Sequence, residues 1–336
     1  NKDGGIMASA WNLYQAQSRL AETGRKNHVR IRFFHGKGGS ISRGAGPTHW
    51  FIRSLPPGSV NGDIRVTEQG ETIERKYANK GNAAYNLELL IASAACSSLT
   101  NEQSAMTAHP GEKVMDYLVE KSLECYKELT GDPEFLVFFS QATPIDAIEE
   151  SKIGSRPARR SGKKSLSDLR AIPWVFSWSQ TRFNLTGWYG VGFALENLKE
   201  NKPEMFSRFV ELVQNDPFIR YLLTNVDTSL NATDEGIMEL YSSLVEDPGI
   251  RERMMHKIRT ELERTRRLLN LILEKPISQR RTSHYFSTML RANALDYLHH
   301  NQVRLLALWR QEKKEETLYS LLRSINAIAN AMGNTG

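Results

Sequence analysis

A glycine-rich run at residues 35–47, with the sequence HGKGGSISRGAGP, constrains this chain more than any other stretch. Glycine adopts positive φ and lets a ligand approach the backbone closely, and successive amides in such turns form anion-binding nests. Lys37 and Arg43 add positive charge, and His35 adds a group that titrates near neutral pH. The run predicts either an oxyanion or phosphate loop or a mobile glycine turn, and its order fits neither the Walker loop nor the dinucleotide fingerprint.

The segments before this run indicate an α/β arrangement. Alternation from Val29 to Phe34 predicts a strand. A helix ending at Gly24 is predicted by apolar residues that recur at helical steps, namely Ile6, Ala10, Leu13, Ala16 and Leu20. A helix, a strand and a glycine loop in succession are typical of α/β proteins.

The rest of the chain divides into two parts. Apolar runs at 135–139 and 172–178 predict strands that are buried on both faces. Beyond about Gly190 the spacing predicts only helices, over 204–214, 250–273 and 303–330. We therefore expect an α/β part at 1–190 and an all-helical part at 191–336.

Composition excludes several classes of protein. With 336 residues, 40% hydrophobic and 24% charged, the chain is neither disordered, nor collagen-like, nor a coiled coil. Two cysteines cannot form a disulfide framework, and no apolar run approaches the length that spans a bilayer, so a cytoplasmic protein without membrane contact is expected. The chain starts at Asn1 with a helical pattern close behind, so we expect it to begin within a longer protein.

The net charge of +6 leaves open an anionic partner. Residues 151–170 carry seven Lys or Arg against one Asp, and they form either a phosphate-gripping loop or a solvated charge run. Nucleic-acid binding is the third interpretation, but the aromatic residues that stack on bases are missing within this loop, the nearest being Trp174. We therefore expect no nucleic-acid partner.

Four histidines and three glutamates are candidates for metal ligation or acid–base chemistry. No zinc-helix spacing joins His109, His284, His299 and His300, so surface or core positions are expected for them. The glutamates Glu68, Glu71 and Glu74 could form a carboxylate pair, but half-exposed strand positions are commoner.

Taken together and in order, several motifs resemble the C-terminal portion of phosphoenolpyruvate carboxylase. They run from the first residues to the last: KDGG (2–5), FHGKGGSISRGAGPTH (34–49), LPPGSVNGDIRVTEQGETI (55–73), ATP (142–144), GSRPARR (154–160), LRAIPWVFSWSQTRF (169–183), GWYGVG (187–192) and NTG (334–336). The resemblance implies the C-terminal part of a (β/α)8-like barrel, followed by a helical region with an inhibitor site and oligomer contacts.

The resemblance implies an activity and its partners. The family carboxylates phosphoenolpyruvate with bicarbonate, giving oxaloacetate and phosphate through carboxyphosphate and an enolate, with Mg²⁺ or Mn²⁺. A homotetramer is expected at full length. The metal ligands and an essential histidine of the family fall before this chain, so no metal ligand is expected in it, the rest of the same polypeptide is an expected partner, and the isolated chain is expected to be inactive. His109 imitates that histidine's motif by coincidence. The alternative is a non-catalytic anion-binding or assembly module.

By the same resemblance, individual residues acquire expected roles. The catalytic residues are His35, Arg43 and Lys2. The substrate-binding residues are Lys37, Gly38, Gly39, Gln69, Arg156 and Arg170.

Departures from the family pattern concern two sites. Lys37 stands where the family has arginine, which keeps the charge but loses the bidentate fork, and Ser42 and Ala45 replace glycines. A dicarboxylate inhibitor, aspartate or malate, would be held by Arg43, Arg291 and Asn334, but Asn225 stands at the family's lysine position. Weak or absent inhibition is therefore expected.

Overall fold

The computed structural model describes residues 2–38, 46–103, 108–151, 157–160 and 165–333. Helices dominate these residues, so the prediction of a predominantly helical chain is confirmed. No helix among them is long and apolar enough to cross a lipid bilayer. The glycine-loop residues 39–45, including Arg43, lie outside the described residues, as do Arg156 and Asn334.

The elements follow one another in this order: α1 (Gly5–Lys26), β1 (Phe34–Gly36), α2 (Thr48–Arg53), β2 (Arg65–Thr67), α3 (Gly70–Tyr77), α4 (Lys80–Gln103), α5 (Glu112–Thr130), α6 (Phe135–Ala142), α7 (Ile145–Glu150), α8 (Ala171–Gln180), a short 3-10 helix (Leu185–Gly187), α9 (Val191–Asn201), α10 (Pro203–Asn215), α11 (Pro217–Asn231), α12 (Glu235–Ser242), α13 (Pro248–Leu273), α14 (Ile277–Arg280), α15 (Thr282–Glu312) and α16 (Glu315–Met332).

Aspartates start three helices of the C-terminal half. The carboxylates of Asp216, Asp234 and Asp247 each accept a hydrogen bond from a backbone N–H in the first turn of α11, α12 and α13. Prolines follow Asp216 and Asp247 at the first helical position, where no backbone donor is needed. Local sequence thus fixes where these helices begin.

Strands β1 and β2 pair in parallel, with Phe34 opposite Arg65, His35 opposite Val66 and Gly36 opposite Thr67. They form the only sheet among the described residues. A parallel pair is compatible with a barrel but does not amount to one, so the (β/α)8-like barrel stays a prediction. The boundary between residues 190 and 191 stays a prediction as well.

Two predicted strands are helices. Residues 135–139 lie in α6 and residues 172–178 in α8. In α8 every residue from Pro173 to Gln180 is buried, because the helix is surrounded on all sides. A helix buried all round has the same uninterrupted apolar sequence as a strand buried on both faces, so periodicity cannot separate them.

Three further predictions need correction. The strand predicted at 29–34 is mostly irregular, and β1 begins only at Phe34. In α1 the predicted face is partly wrong, because Leu13 and Leu20 are exposed while Met7 and Trp11 are buried. The helix predicted over 303–330 is two helices, which part at Lys313, where φ is +53°.

The GWYGVG motif brings three helices together in the core. Gly190, at φ +86°, precedes α9, and a Cβ there would lie 2.6 Å from the Ser122 carbonyl oxygen in α5. A Cβ on Gly192 would lie 2.6 Å from the Thr265 backbone nitrogen in α13. The buried Glu261 of α13 accepts a hydrogen bond from the Gly190 amide at 3.1 Å. The two glycines therefore permit backbone contact that no larger residue allows.

Candidate active site

A cavity of about 480 Å³ lies where β1 ends, and four residues predicted for function line it. These are Lys2, His35, Lys37 and Asn225. Helices α1, α2, α8 and α11 supply the remaining walls, which are largely apolar. A concave, mostly apolar space with a few converging polar groups is the usual form of a small-molecule site.

Lys37 is the buried cation of this cavity, since only 5% of its side chain is exposed. Its Nζ lies 3.3 Å from Thr48 Oγ1, 3.4 Å from the Gly46 carbonyl oxygen and 3.7 Å from Glu68 Oε1. Burial, and after it the Lys76 charge, lower the pKa of Lys37 from 10.5 to about 8 against the opposing effect of Glu68. All three contacts are longer than a good hydrogen bond, so the ammonium can still bind an anion.

Glu68 and Lys76 form an ion pair behind Lys37, and the sequence did not reveal the role of Lys76. Lys76 Nζ lies 2.5 Å from Glu68 Oε1 and 2.8 Å from Thr48 Oγ1. Burial raises the pKa of Glu68, but Lys76, Thr48 and Lys37 outweigh it, so the net pKa is lowered. Glu68 is therefore an ionised partner of cations rather than an acid, and it follows β2 instead of lying in a strand.

His35 is buried in the middle of β1, and its Nε2 has no hydrogen-bond partner among the described residues. Burial, and then the Lys37 charge, lower the pKa of His35, so its imidazole is neutral at pH 7. A buried polar atom without a partner is costly unless a ligand or water supplies one. This nitrogen is thus suited to contact a bound molecule.

Two aromatic residues of the cavity, Phe51 in α2 and Tyr221 in α11, were not singled out by the sequence. The Phe51 ring lies edge-to-face with the His35 ring at 5.0 Å between centroids, and its centroid is 5.3 Å from Lys37 Nζ. Tyr221 packs against Phe51 at 6.3 Å. Aromatic residues scattered along a chain carry no motif, so only the fold shows that they meet.

Three further residues predicted for catalysis or substrate binding, Lys2, Arg170 and Gln69, differ in how close they lie to the cavity. Lys2 Nζ donates to the Leu166 carbonyl oxygen at 2.9 Å and lies 3.1 Å from Asp3. Arg170 precedes Ala171, which lines the cavity, and its Nε is buried without a hydrogen-bond partner among the described residues. Gln69 is half-buried at the start of α3, where its carbonyl oxygen accepts from the Thr72 amide.

Gly38 is buried at the edge of the described residues, whereas Gly39, Arg43 and Arg156 lie outside them. Of the basic segment at 151–170, the described part forms an antiparallel bridge between Arg159 and Leu169. Arg159 Nε lies 2.7 Å from Glu149 in α7. The Glu149 carboxylate therefore balances the charge of Arg159, which adds little net positive charge to this segment.

Of the residues predicted for inhibitor binding, the described ones lie on different elements. Asn225 of α11 shares the cavity with His35 and Lys37. Arg291 of α15 is exposed and donates to the Ala331 carbonyl oxygen near the end of α16 at 3.1 Å. Asn334 lies outside the described residues.

Metal ligation finds no support among the described residues, where no three His, Cys, Asp or Glu side chains are grouped to hold an ion. His109 Nε2 instead lies 3.0 Å from Asp216 Oδ2, while its Nδ1 accepts from the Gly111 amide at 3.0 Å. His299 is fully buried beside Tyr241, and burial lowers its pKa to about 3. Asp216 and Tyr241 are therefore the polar neighbours of these two histidines, and the expectation that this chain holds no metal ligand stays a prediction.

Comparison with known proteins gives a consistent family. The phosphoenolpyruvate carboxylase family model matches residues 1–336. The phosphoenolpyruvate carboxylase of Methylorubrum extorquens is 42% identical over 345 residues, covering 100% of this chain and 37% of that protein. Those of Mycolicibacterium paratuberculosis and Nitrosomonas europaea are 39% and 37% identical, again over 100% of this chain and 37% of theirs. The chain thus spans little more than a third of the length of these relatives, and it belongs to the phosphoenolpyruvate carboxylase family.

Proposed function

We propose that the polypeptide carrying these 336 residues, at its natural length, carboxylates phosphoenolpyruvate with bicarbonate to oxaloacetate and phosphate. The observation that supports this most is the convergence of Lys2, His35 and Lys37 on one cavity at the end of β1. Both reactants are anions, so the reaction needs cations and hydrogen-bond donors fixed in a site of low polarity. The cavity provides them.

In the proposed reaction a bicarbonate oxygen attacks phosphorus, the bond from phosphorus to the enol oxygen breaks, and carboxyphosphate and pyruvate enolate form. The bond from the carboxyl carbon of carboxyphosphate to the phosphate oxygen then breaks, phosphate leaves with the bicarbonate proton, and the enolate carbon bonds to that carboxyl carbon. Lys37 and Arg43 bind the phosphoryl oxygens, with Gly38 and Gly39 providing amides. Lys2, Gln69, Arg156 and Arg170 position the two substrates.

His35 enters this reaction as a neutral imidazole, because its lowered pKa keeps it uncharged at pH 7. Its unpartnered Nε2 can contact bicarbonate or the enolate without adding a fixed charge. A neutral imidazole can accept a proton at one ring nitrogen and donate a hydrogen bond from the other, whereas a protonated one can only donate.

A divalent metal, Mg²⁺ or Mn²⁺, is part of the proposal as a Lewis acid for the phosphoryl group and the enolate. The described residues do not fit it, because the carboxylate beside Lys37 is Glu68, which is committed to Lys76. The ligands are proposed to belong to the part of the polypeptide outside these 336 residues. A cytoplasmic homotetramer is the proposed assembly, with residues 1–190 in the catalytic barrel and 191–336 in the helical region.

The proposal is tested by kinetics of the natural-length polypeptide and of its Arg43→Ala variant. Phosphoenolpyruvate carboxylation is expected for the unchanged protein, with turnover lost in Arg43→Ala. The control is Arg208→Ala, an exposed arginine that pairs with Glu211 on the same helix and should not affect turnover. Unchanged turnover in Arg43→Ala would remove the glycine loop from the mechanism.

The 336-residue chain alone provides a second arm of the test. We expect it to form no oxaloacetate, because the metal ligands and a further histidine are proposed to lie elsewhere in the polypeptide. Oxaloacetate formation by this chain would contradict that proposal. Absence of activity at natural length, with retained binding of phosphoenolpyruvate, would favour a non-catalytic anion-binding module.

A further inference from the structure

One aromatic ring contacts both of the buried ionisable groups at the end of β1. Phe51 is the fourth residue of α2, and its side chain is half-buried. The His35 ring meets it edge-to-face, at an interplanar angle of 79° and 5.0 Å between centroids. The Lys37 ammonium lies 5.3 Å from the same centroid. These distances are in the range where aromatic pairs and cation–π pairs stabilise a fixed arrangement.

The Phe51 ring is itself held from the far side of the cavity. Tyr221 of α11 packs on it with an interplanar angle of 59°, and the Tyr221 side chain hydrogen-bonds to that of Asn225 one turn later. The Phe51 amide donates to the Pro47 carbonyl oxygen at 3.3 Å. The ring thus contacts Tyr221 of α11 as well as His35 and Lys37 at the end of β1.

Lys37 needs such a neighbour because its polar contacts are weak. Burial disfavours its ammonium form, and the contacts to Thr48, Gly46 and Glu68 all exceed 3.2 Å. The face of an aromatic ring is negative, so it favours a cation where water is excluded. The charged or titratable groups that face Lys37 from the surrounding elements are His35, Glu68 and Lys76, with Lys2 and Tyr221 elsewhere on the cavity wall.

We propose that Phe51 is a positioning residue whose ring holds the His35 imidazole and the Lys37 ammonium against one wall of the cavity and keeps Lys37 charged for an anionic substrate. The inference rests on the proposed function, since it names the residue that prepares two groups of that site. Phe51 would act only through His35 and Lys37.

Two substitutions of Phe51 separate this role from simple filling of space. Phe51→Leu keeps water out but removes the ring, so the pKa of Lys37 should fall by about half a unit, the value of one cation–π contact. Phe51→Ala admits water, so the pKa of Lys37 should rise instead. Phe51→Tyr keeps the ring and should behave as the unchanged protein.

The pKa is read in two ways on the natural-length polypeptide. The alkaline limb of kcat/KM for phosphoenolpyruvate against pH should follow Lys37 and should vanish in Lys37→Arg, whose charge does not titrate. Competitive labelling of lysines with an amine reagent, followed by peptide mass spectrometry, gives the titration of Lys37 without any activity. The matched control is Phe193→Leu. Phe193 is also half-buried and has a cation near its ring, with Arg264 Cζ 5.8 Å from the ring centroid, but it lies outside the cavity. This substitution should change neither the pH profile of kcat/KM nor the labelling curve of Lys37.

The outcomes are distinguishable. Opposite shifts in the Leu and Ala variants, with none in Phe193→Leu, support the inference. Shifts in the same direction, or no shift in Phe51→Leu, overturn it even if the protein is an active carboxylase. If activity is absent but the labelling curves move in opposite directions, the proposed function fails while the role of Phe51 for Lys37 stands.

Discussion

Lys76 donates to Oε1 of Glu68 at 2.5 Å, and this is the same oxygen that Lys37 reaches only at 3.7 Å. The Glu68 carboxylate is therefore shared unequally between two cations. Lys76 lowers the pKa of Lys37 in two ways: its charge repels the Lys37 ammonium, and it pairs with the Glu68 carboxylate that would otherwise neutralise Lys37. The buried cation of the cavity is left with a lowered pKa and spare capacity to bind an anion.

Lys76→Met should raise the pKa of Lys37 above about 8, because it removes a neighbouring charge and frees Glu68. A rise of about one pH unit in the alkaline limb of kcat/KM is expected for charges at this separation. Glu68→Gln should shift the same limb downward, since the Glu68 carboxylate favours the charged form of Lys37. Shifts of equal sign in the two variants would contradict this account of the network.

Lys37→Met should make the protein more stable at neutral pH while destroying substrate binding. The pKa of Lys37 is about 8 when folded and 10.5 when unfolded, so the unfolded chain binds more protons between these values and stability rises with pH across that window. The variant lacks this dependence. Its advantage, at most about 3 kcal/mol near pH 7, should shrink as the pH rises through the window.

Denaturant unfolding at about pH 7 and again near pH 10 measures this difference. Leu55→Ala, in the apolar wall of the same cavity, is a suitable comparison because it removes no charge. Its effect on stability should be the same at both pH values. A Lys37→Met variant that is less stable than the unchanged protein at neutral pH would mean that the contacts of Lys37 outweigh its burial.

The glycine run beside His35 and Lys37 predicts either an anion loop or a mobile glycine turn, and the structure places these two side chains in the wall of one cavity. The supporting residues were not predictable. Phe51, Lys76 and Tyr221 reach the site from α2, α3 and α11, and no local pattern in the sequence links them. These three residues meet only because of the way the helices pack, and no short stretch of the sequence indicates that packing.

The fold shows a similar division between local and distant causes. Helices that begin at Asp216 or Asp247 carry their own start signals, and the spacing of 250–273 predicted α13 almost to the residue. In α1 two apolar stripes compete, one through Leu13 and Leu20 and one through Met7 and Trp11. Packing against α5 buries the second stripe, and the Trp11 indole donates to Asp116 of α5 at 2.6 Å. Tertiary contacts decided what periodicity left open.

Asn225→Lys should create or strengthen inhibition by a dicarboxylate. The position lies in the wall of the cavity that also contains His35 and Lys37, so a cation there would face an anion in the same space. One charge-assisted hydrogen bond corresponds to about 1.5–3 kcal/mol, or roughly 10- to 150-fold in the inhibition constant. Inhibition by aspartate and malate at natural length measures the effect.

Asn225→Gln serves as the control, because it changes size without adding charge and should leave inhibition weak. An inhibition constant unchanged by the lysine would separate Asn225 from the inhibitor site. Tight inhibition of the unchanged protein would show that an uncharged residue suffices at this position.

Gly192→Ala should destabilise the chain by about 3 kcal/mol, at the upper end for overpacking, because the added Cβ meets the Thr265 backbone as well as its Oγ1, and the backbone cannot turn aside. The amide of Gly192 also donates to Thr265 Oγ1 at 3.1 Å, so separating α9 from α13 would break that bond. Gly236→Ala in α12 is the matched comparison, since its Cβ would meet only Asp234 Oδ1 at 3.5 Å. That substitution should be neutral or stabilising by up to about 1 kcal/mol through helix propensity. Equal unfolding midpoints for the two variants in urea would mean that α9 and α13 can move apart freely, and the GWYGVG motif would then need an explanation other than close packing.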